Sequence, residues 1–344
     1  MPGRRRIVFN LRERRPIWSA PEWALDEIRA ALPDGWELVA IRGAADGTGD
    51  GGGVGAEVLD AVRGAEVYLG WGVPRDVFLA AGDALRWAHS ASAGVGGALY
   101  PEMRESGVIL TNSAGTHAEP IADTVLAMIA YFARGLDWAV HAQAERRWDK
   151  SRFDEADSPI RELAESTVGL LGLGGIGRAV AKRASALGMR VVAMRRSSAE
   201  GPPGVEVVTG EGALDRLLSI SDYFVVTVPR TAETEGMIGA RELARLSRHA
   251  VVINVSRGDV VDERALADAL AAGRLRGAGL DVFAREPLPR ESPLWGLPNA
   301  LVLPHVSGTS HRFWRRETDL IVGNLRRYLS GEPLLNTVDK QAGY

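Results

Sequence analysis

Gly172-Leu173-Gly174-Gly175-Ile176-Gly177 lies between an apolar run, Val168–Leu171, and a helical pattern that continues from Arg178 to Leu187. That order and spacing suit a dinucleotide site. Gly172 permits a tight turn, Gly174 lets the main chain approach a pyrophosphate, and Gly177 lets helix close on strand. The amides freed at the helix start, around Gly175 and Ile176, face the phosphates, where the helix dipole also favours negative charge. About 20 residues on, where an acid would hold the ribose 2′-hydroxyl, stands Met194-Arg195-Arg196-Ser197-Ser198, without a carboxylate. Two guanidiniums and two hydroxyls suit a 2′-phosphate, which predicts a preference for NADP(H). The alternative is that Arg195 and Arg196 only cap a strand end and NAD(H) is accepted. Three further stretches each follow an expected strand: Asn254–Asp259 with Arg257, Gly279–Pro287 with Asp281 and Glu286, and Pro304–Gly308 with His305. Ligands of open α/β sheets bind at the carboxyl ends of strands, so Arg257, Glu286 and His305 can converge on one crevice. Singly, each has a plainer use, Arg257 as a partner for Asp259 or Asp262, Glu286 as a turn carboxylate, His305 as a loop histidine. Their joint placement favours chemistry.

The elements that must position these groups read as α/β. Strand-like runs at Ile7–Phe9, Trp36–Ile41, Glu66–Gly70 and Leu85–His89 alternate with helical patterns at Glu22–Leu32, Ala56–Arg63 and Asp76–Ala81, which argues for βαβ units and a parallel sheet. The almost wholly apolar Ala118–Arg134, with Pro120 near its first turn, predicts a buried helix. Short apolar runs follow at Val168–Leu173, Arg190–Met194, Tyr223–Val228, Ala250–Val255, Ala278–Val282 and Ala300–Leu303, with helical patterns at Ile176–Leu187 and Asp262–Ala272. Runs without alternation are expected of strands buried on both faces, hence a second α/β domain. His311–Leu329 has a helical apolar rhythm and is expected to return to the first domain. Gly43–Gly55 reads as a surface loop.

Composition narrows the chemistry. The 344 residues are 46% apolar and 25% charged, and they include no cysteine, which excludes thiolate metal sites, iron–sulfur clusters and a cysteine nucleophile. With 41 basic and 44 acidic residues, no overall field favours nucleic acid or an anionic membrane, and a small-molecule partner is expected. Ile7–Phe9 is too short for a signal-peptide core, and no apolar run is long enough for a membrane span. The expected location is the cytoplasm.

Taken together, these stretches resemble the D-isomer-specific 2-hydroxyacid dehydrogenase family, in its glyoxylate/hydroxypyruvate reductase-like branch. The likeness extends to Asn112-Ser113-Ala114-Gly115-Thr116, Leu217-Leu218 through Thr227-Val228-Pro229-Arg230-Thr231, and Asn324 to Asp339. It covers most of residues 85 to 339, while the first 80 match only in general pattern.

The resemblance implies a reversible, NAD(P)H-dependent reduction of a 2-oxoacid to a D-2-hydroxyacid. It implies His305 as proton donor, Glu286 as the carboxylate that orients the ring and raises its pKa, and Arg257 as the clamp on the substrate's oxygens. It also implies cofactor contacts from Thr116, Val228, Pro229, Thr234, Val255, Ser256, Asp281, Ser307 and Gly308, with Asp281 on the nicotinamide carboxamide. The substrate carboxylate is expected on main-chain amides of Ser92–Gly96, at Ala93 and Gly94, beside Arg257 and His305. Gly96 stands where the family usually has Asp, and Asp123 where it more often has Glu. His117, Tyr100, Trp295 and Trp314 are open candidates for the pocket, while His89, His141, His249 and His311 read as surface or packing residues. No metal is expected. The implied architecture is two doubly wound parallel-sheet domains with the active-site cleft between them. A flavodoxin-like substrate domain takes residues 1–111 and 312–344, and a Rossmann NAD(P)-binding domain takes 112–311. A homodimer is implied, with Trp138–Phe153 as its expected contact. Two readings stay open beside this one: a phosphite dehydrogenase-like enzyme with the same three residues, and a dinucleotide-sensing corepressor-like protein without turnover. Glu286 counts against a formate dehydrogenase, which would carry Gln there.

Overall fold

The computed structural model describes residues 5–43, 54–196 and 201–343. Ser197 and most of the expected Gly43–Gly55 loop, residues 44–53, lie outside the described residues. In chain order the elements are β1 (Arg5–Asn10), α1 (Glu22–Ala30), β2 (Trp36–Ala40), α2 (Ala56–Val62), β3 (Val67–Gly70), α3 (Arg75–Ala81), β4 (Trp87–Ser90), α4 (Pro101–Glu105) and β5 (Ile109–Asn112). There follow α5 (Ala118–Ala133), α6 (Leu136–Ala144), β6 (Thr167–Leu171), α7 (Gly175–Ala186), β7 (Arg190–Met194), β8 (Val205–Val208), α8 (Ala213–Ile220) and β9 (Tyr223–Val226). The last are α9 (Ala240–Leu243), β10 (Val251–Asn254), α10 (Glu263–Ala271), β11 (Gly277–Leu280), β12 (Ala300–Val302) and α11 (Phe313–Ser330).

The chain divides into two units, Met1–His117 with Thr309–Tyr344, and Ala118–Gly308. Residues 112–117 and 309–311 thus fall in the first unit, outside the nucleotide domain expected from sequence. The reason is visible in their bonds. Ser113 donates to Glu317, Arg316 donates to the Thr116 carbonyl, and His117 stacks on Phe313.

The first unit holds a five-stranded sheet in the order β2-β1-β3-β4-β5, parallel throughout. Side chains alternate across it: Ile7, Phe9, Val67, Leu69 and Trp87 bury against α1 and α11, whereas Val8, Tyr68, Ala88 and Leu110 bury against α2, α3 and α4. The second unit has seven parallel strands ordered β12-β11-β10-β9-β6-β7-β8. One face packs on α5 and α7 through Val125, Met128, Phe132 and Val180, the other on α8 and α10 through Leu217, Leu218, Leu266 and Leu270. Because all strands run one way, every carboxyl end lies on one edge of its sheet. In the second sheet the strand order reverses at β6/β9, the switch point at which doubly wound sheets bind ligands. Among the described residues no helix is long and apolar enough to cross a membrane.

Candidate functional site

The loop after β6 opens that edge. Gly172 has φ +105°, a conformation that only glycine adopts without strain, and its N–H donates to the Met194 carbonyl at 3.0 Å. A Cβ on Gly177 would stand 2.4 Å from the Gly172 oxygen, so these two glycines are required by the chain itself. Gly174 differs: among the described residues nothing lies within 4 Å of where its Cβ would be. Its openness leaves the main chain accessible ahead of Gly175 and Ile176, the first residues of α7, whose N–H groups have no partner within the helix.

Arg195 and Arg196 follow β7. Arg195 donates its N–H to the Val208 carbonyl, and its guanidinium Nη1 is buried without a hydrogen-bond partner among the described residues. Arg196 forms an exposed pair with Glu233 at 3.1 Å. Across the switch point, the Ser256 hydroxyl donates to the Val228 carbonyl, and the Thr234 hydroxyl closes its turn on the Pro229 carbonyl at 2.7 Å. Val255 and Ser256 are buried just past β10.

Arg257 comes next on an exposed turn, its Nη1 donating to the Ser256 carbonyl at 2.7 Å. Gly258 beneath it touches the next loop so closely that a Cβ would fall 1.8 Å from the Phe283 carbonyl carbon. This contact fixes the Arg257 turn against the segment that carries Glu286. Glu286 Oε1 accepts the Phe283 N–H at 3.0 Å, and Oε2 meets His305 Nδ1 at 2.7 Å. The hydrogen bond from Glu286 raises the His305 pKa above the ordinary imidazole value against partial burial, with the charges of Glu286 and Asp281 adding to it. Burial pushes the Glu286 carboxyl up, but the bonds from His305 and the Phe283 N–H, with the charges of His305 and Arg257, bring it below the usual range. Arg257 is therefore near enough for its charge to act on both partners. With Nδ1 engaged, the half-exposed ring keeps Nε2 for another molecule.

His305 has φ +53°, a left-handed conformation uncommon for a non-glycine residue. Asp281 holds it there. Its buried carboxylate accepts the N–H groups of Val306 (2.7 Å) and Ser307 (3.0 Å) and the Ser307 hydroxyl. Both oxygens of Asp281 are thus engaged within the chain, a use that sequence reading did not foresee. Gly308 closes this loop.

In the first unit the loop after β4 leaves Ala93 and Gly94 exposed, and the N–H groups of Ala93, Gly94 and Val95 meet no acceptor among the described residues. Asn112 Nδ2 holds the Ala93 carbonyl at 2.8 Å. The Thr116 hydroxyl is buried on the Ser113 carbonyl, and His117 belongs to an aromatic cluster with Trp18 and Phe313. Trp314 is buried with its indole N–H on the Ile17 carbonyl. Tyr100 stands edge-on to Phe78, and Trp295 is exposed on a turn of the second unit. Asp123 pairs with Arg183, as does Glu119. His89 is wholly buried, a packing position, and goes beyond that expectation only in being paired with an acid, Glu317, 228 residues away. The signal was available, since Glu317 interrupts the apolar stripe Phe313, Ile321 and Leu325 of α11.

The family model for "D-isomer specific 2-hydroxyacid dehydrogenase, NAD binding domain" matches residues 126–307. A glyoxylate/hydroxypyruvate reductase B of Pectobacterium carotovorum subsp. carotovorum is 39% identical over 286 residues, 82% of this chain and 88% of that protein. A D-isomer specific 2-hydroxyacid dehydrogenase of Xanthobacter autotrophicus Py2, solved with NADPH and MES, superposes with a TM-score of 0.80 at 32% identity, covering 99% of this chain and 100% of that one. An NADPH-dependent glyoxylate/hydroxypyruvate reductase of Sinorhizobium meliloti, solved with NADP and sulfate, gives a TM-score of 0.78 at 28% identity over 99% and 100% of the two chains.

Proposed function

We propose, for a chain that belongs to the D-isomer-specific 2-hydroxyacid dehydrogenase family, that Arg257, Glu286 and His305 carry the NAD(P)H-dependent reduction of a 2-oxoacid to a D-2-hydroxyacid. The observation that carries this assignment is the Glu286–His305 bond, 2.7 Å at Nδ1. It orients the imidazole and favours its protonated form, so that Nε2–H faces the substrate's C2 oxygen. The bound dinucleotide supplies hydride. Arg257 holds the carboxylate and the oxygen on which negative charge develops. The acceptor-free amides of Ala93–Val95 take the far side of the substrate carboxylate.

The second unit is the cofactor domain in this reading, the first the substrate domain. The open ground at Gly174 fits a pyrophosphate, and contacts from Val228, Pro229, Thr234, Val255, Ser256, Ser307 and Gly308 line the rest. NADP(H) is the preferred cofactor, supported by the unpartnered Arg195 Nη1 and the lack of an acid after β7. The protein works as a homodimer in the cytoplasm, joined through the exposed segment around Trp148.

The test is NADPH oxidation with glyoxylate, hydroxypyruvate and bulkier 2-oxoacids, in the wild type and in His305→Asn, Arg257→Gln and Arg195→Ser/Arg196→Ser. Turnover by the wild type and a loss of about 10²-fold or more in the first two are expected. The double variant raises KM for NADPH by roughly 10- to 100-fold and leaves KM for NADH unchanged. Absence of turnover with every 2-oxoacid overturns the assignment, and equal effects on both cofactors overturn the preference.

A further inference from the structure

Beneath the loop after β4 lies a second histidine–acid pair. His89 and Glu317 are both 0% exposed, with Nε2 and Oε1 at 2.8 Å. The Ser113 hydroxyl, also buried, donates to the same carboxylate oxygen at 2.9 Å. These are the residue types of a nucleophilic triad, but the geometry excludes that use. Serine and acid share one ring nitrogen, Nε2, whereas a relay needs them on opposite nitrogens, and no substrate reaches a sealed hydroxyl.

The bonds have a direction. The Trp87 indole N–H can only donate, and it reaches Thr111 Oγ1 at 2.8 Å. Thr111 is then free to pass its own proton to His89 Nδ1 at 2.8 Å, which leaves Nε2–H for Glu317. The chain ends at Ser113, and Ser113 faces the substrate loop. Its hydroxyl lies 3.2 Å from the Ser90 carbonyl, its N–H donates to the Ser92 carbonyl at 3.3 Å, and its neighbour Asn112 holds the Ala93 carbonyl. With these carbonyls drawn toward residues 112 and 113, the amides of Ala93, Gly94 and Val95 are the ones left without acceptors.

We propose that Glu317, acting through Ser113 and braced by His89, is a positioning residue that aims the Ala93–Val95 amides at the substrate carboxylate. The inference rests on the reading that those amides bind that carboxylate. Stability alone does not account for the acid. Glu317 Oε2 is buried without a hydrogen-bond partner among the described residues, and an apolar side chain would continue the α11 stripe at least as favourably. The directed bonds at Glu317 Oε1 contribute orientation instead.

The experiment compares Glu317→Gln, Ser113→Ala and Gly94→Val in the full-length protein, measuring kcat, KM for the 2-oxoacid, KM for NADPH and thermal unfolding. Glu317→Gln is expected to raise KM for the 2-oxoacid about tenfold and Ser113→Ala about three- to tenfold, with kcat and KM for NADPH within about threefold. Ser113→Ala leaves the His89–Glu317 pair in place, so it reports on positioning even if Glu317→Gln does not fold. Gly94→Val intrudes on the exposed loop itself and is expected to raise KM for the 2-oxoacid most. Should Gly94→Val raise KM while the other two change only the unfolding temperature, the positioning role is overturned and the substrate loop stands. Should Gly94→Val leave KM unchanged, the loop reading fails and takes the inference with it.

Discussion

At the level of single residues, the proposed chemistry turns on one proton. Glu286 raises the His305 pKa, so the imidazolium persists to higher pH than an isolated histidine would. Reduction as proposed above needs that proton. It is therefore supported below the raised pKa and lost as pH climbs through it, whereas oxidation of the hydroxyacid needs neutral His305 and gains over the same span. Glu286→Gln removes the largest upward contribution while keeping the side chain's shape. The alkaline limb of kcat/KM for reduction then moves down toward the ordinary imidazole value of about 6.5. A pH profile in which the limb stays put would show that another group governs it. Both side chains are partly exposed, so the effect should appear in rates far more than in unfolding.

At the level of elements, what could be read from sequence depended on burial. β6, β7, β10 and β11 are short apolar runs covered by helices on both sides, and their expected positions match to within a few residues. β9 ends at Val226, two residues before its expected end, because Thr227 and Val228 already belong to the loop that packs on Gly172. β8 escaped notice because it is an edge strand of Val-Glu-Val-Val whose Glu206 turns out to Arg190 and Arg216. β5, α6 and α8 also lacked a decisive pattern; α6 is largely exposed and its apolar residues form no clear stripe. The positions of Arg257, Glu286 and His305 were legible because each lies in a loop just past the carboxyl end of a strand. Partnerships made by folding were not, as with Glu317 and His89, or Asp281 and the loop of His305. That last pairing carries a prediction. In Asp281→Asn an amide NH2 would oppose an N–H or hydroxyl donor where a carboxylate oxygen now accepts, and the left-handed backbone at His305 loses its restraint. A misplacement of about 1 Å at a reacting group can cost roughly 100-fold, so kcat should fall by about that factor. If kcat holds and only KM for the cofactor rises, Asp281 serves the nicotinamide carboxamide instead of the loop.

At the level of the whole molecule, most of the surface ion pairs do little for stability. Most ion pairs, such as Arg29–Asp26 and Arg63–Asp60, are exposed and contribute at most about 1 kcal/mol each. One exception is the buried Asp137–Arg276 pair, bidentate at 2.7 Å, which fastens the start of α6 to the segment before β11. Arg276 also lies over the Trp138 ring, which meets Phe153 edge-on. Trp138 is thus accounted for within the chain, and the expected interface narrows to Trp148. Every residue from 143 to 157 is exposed, Trp148 to 93%, and Leu136 and Val140 of α6 are exposed nearby. A tryptophan left in water on an otherwise polar arm forgoes a large burial gain, which a second copy would supply. Two-fold symmetry doubles any change at such a contact. Trp148→Ala, losing about 2 kcal/mol per copy, should therefore weaken dimerisation by roughly a thousandfold in Kd. Sedimentation across a concentration series should find the wild type dimeric and the variant dissociating at concentrations where the wild type does not. A wild type that is monomeric throughout would remove the interface and leave Trp148 without this explanation.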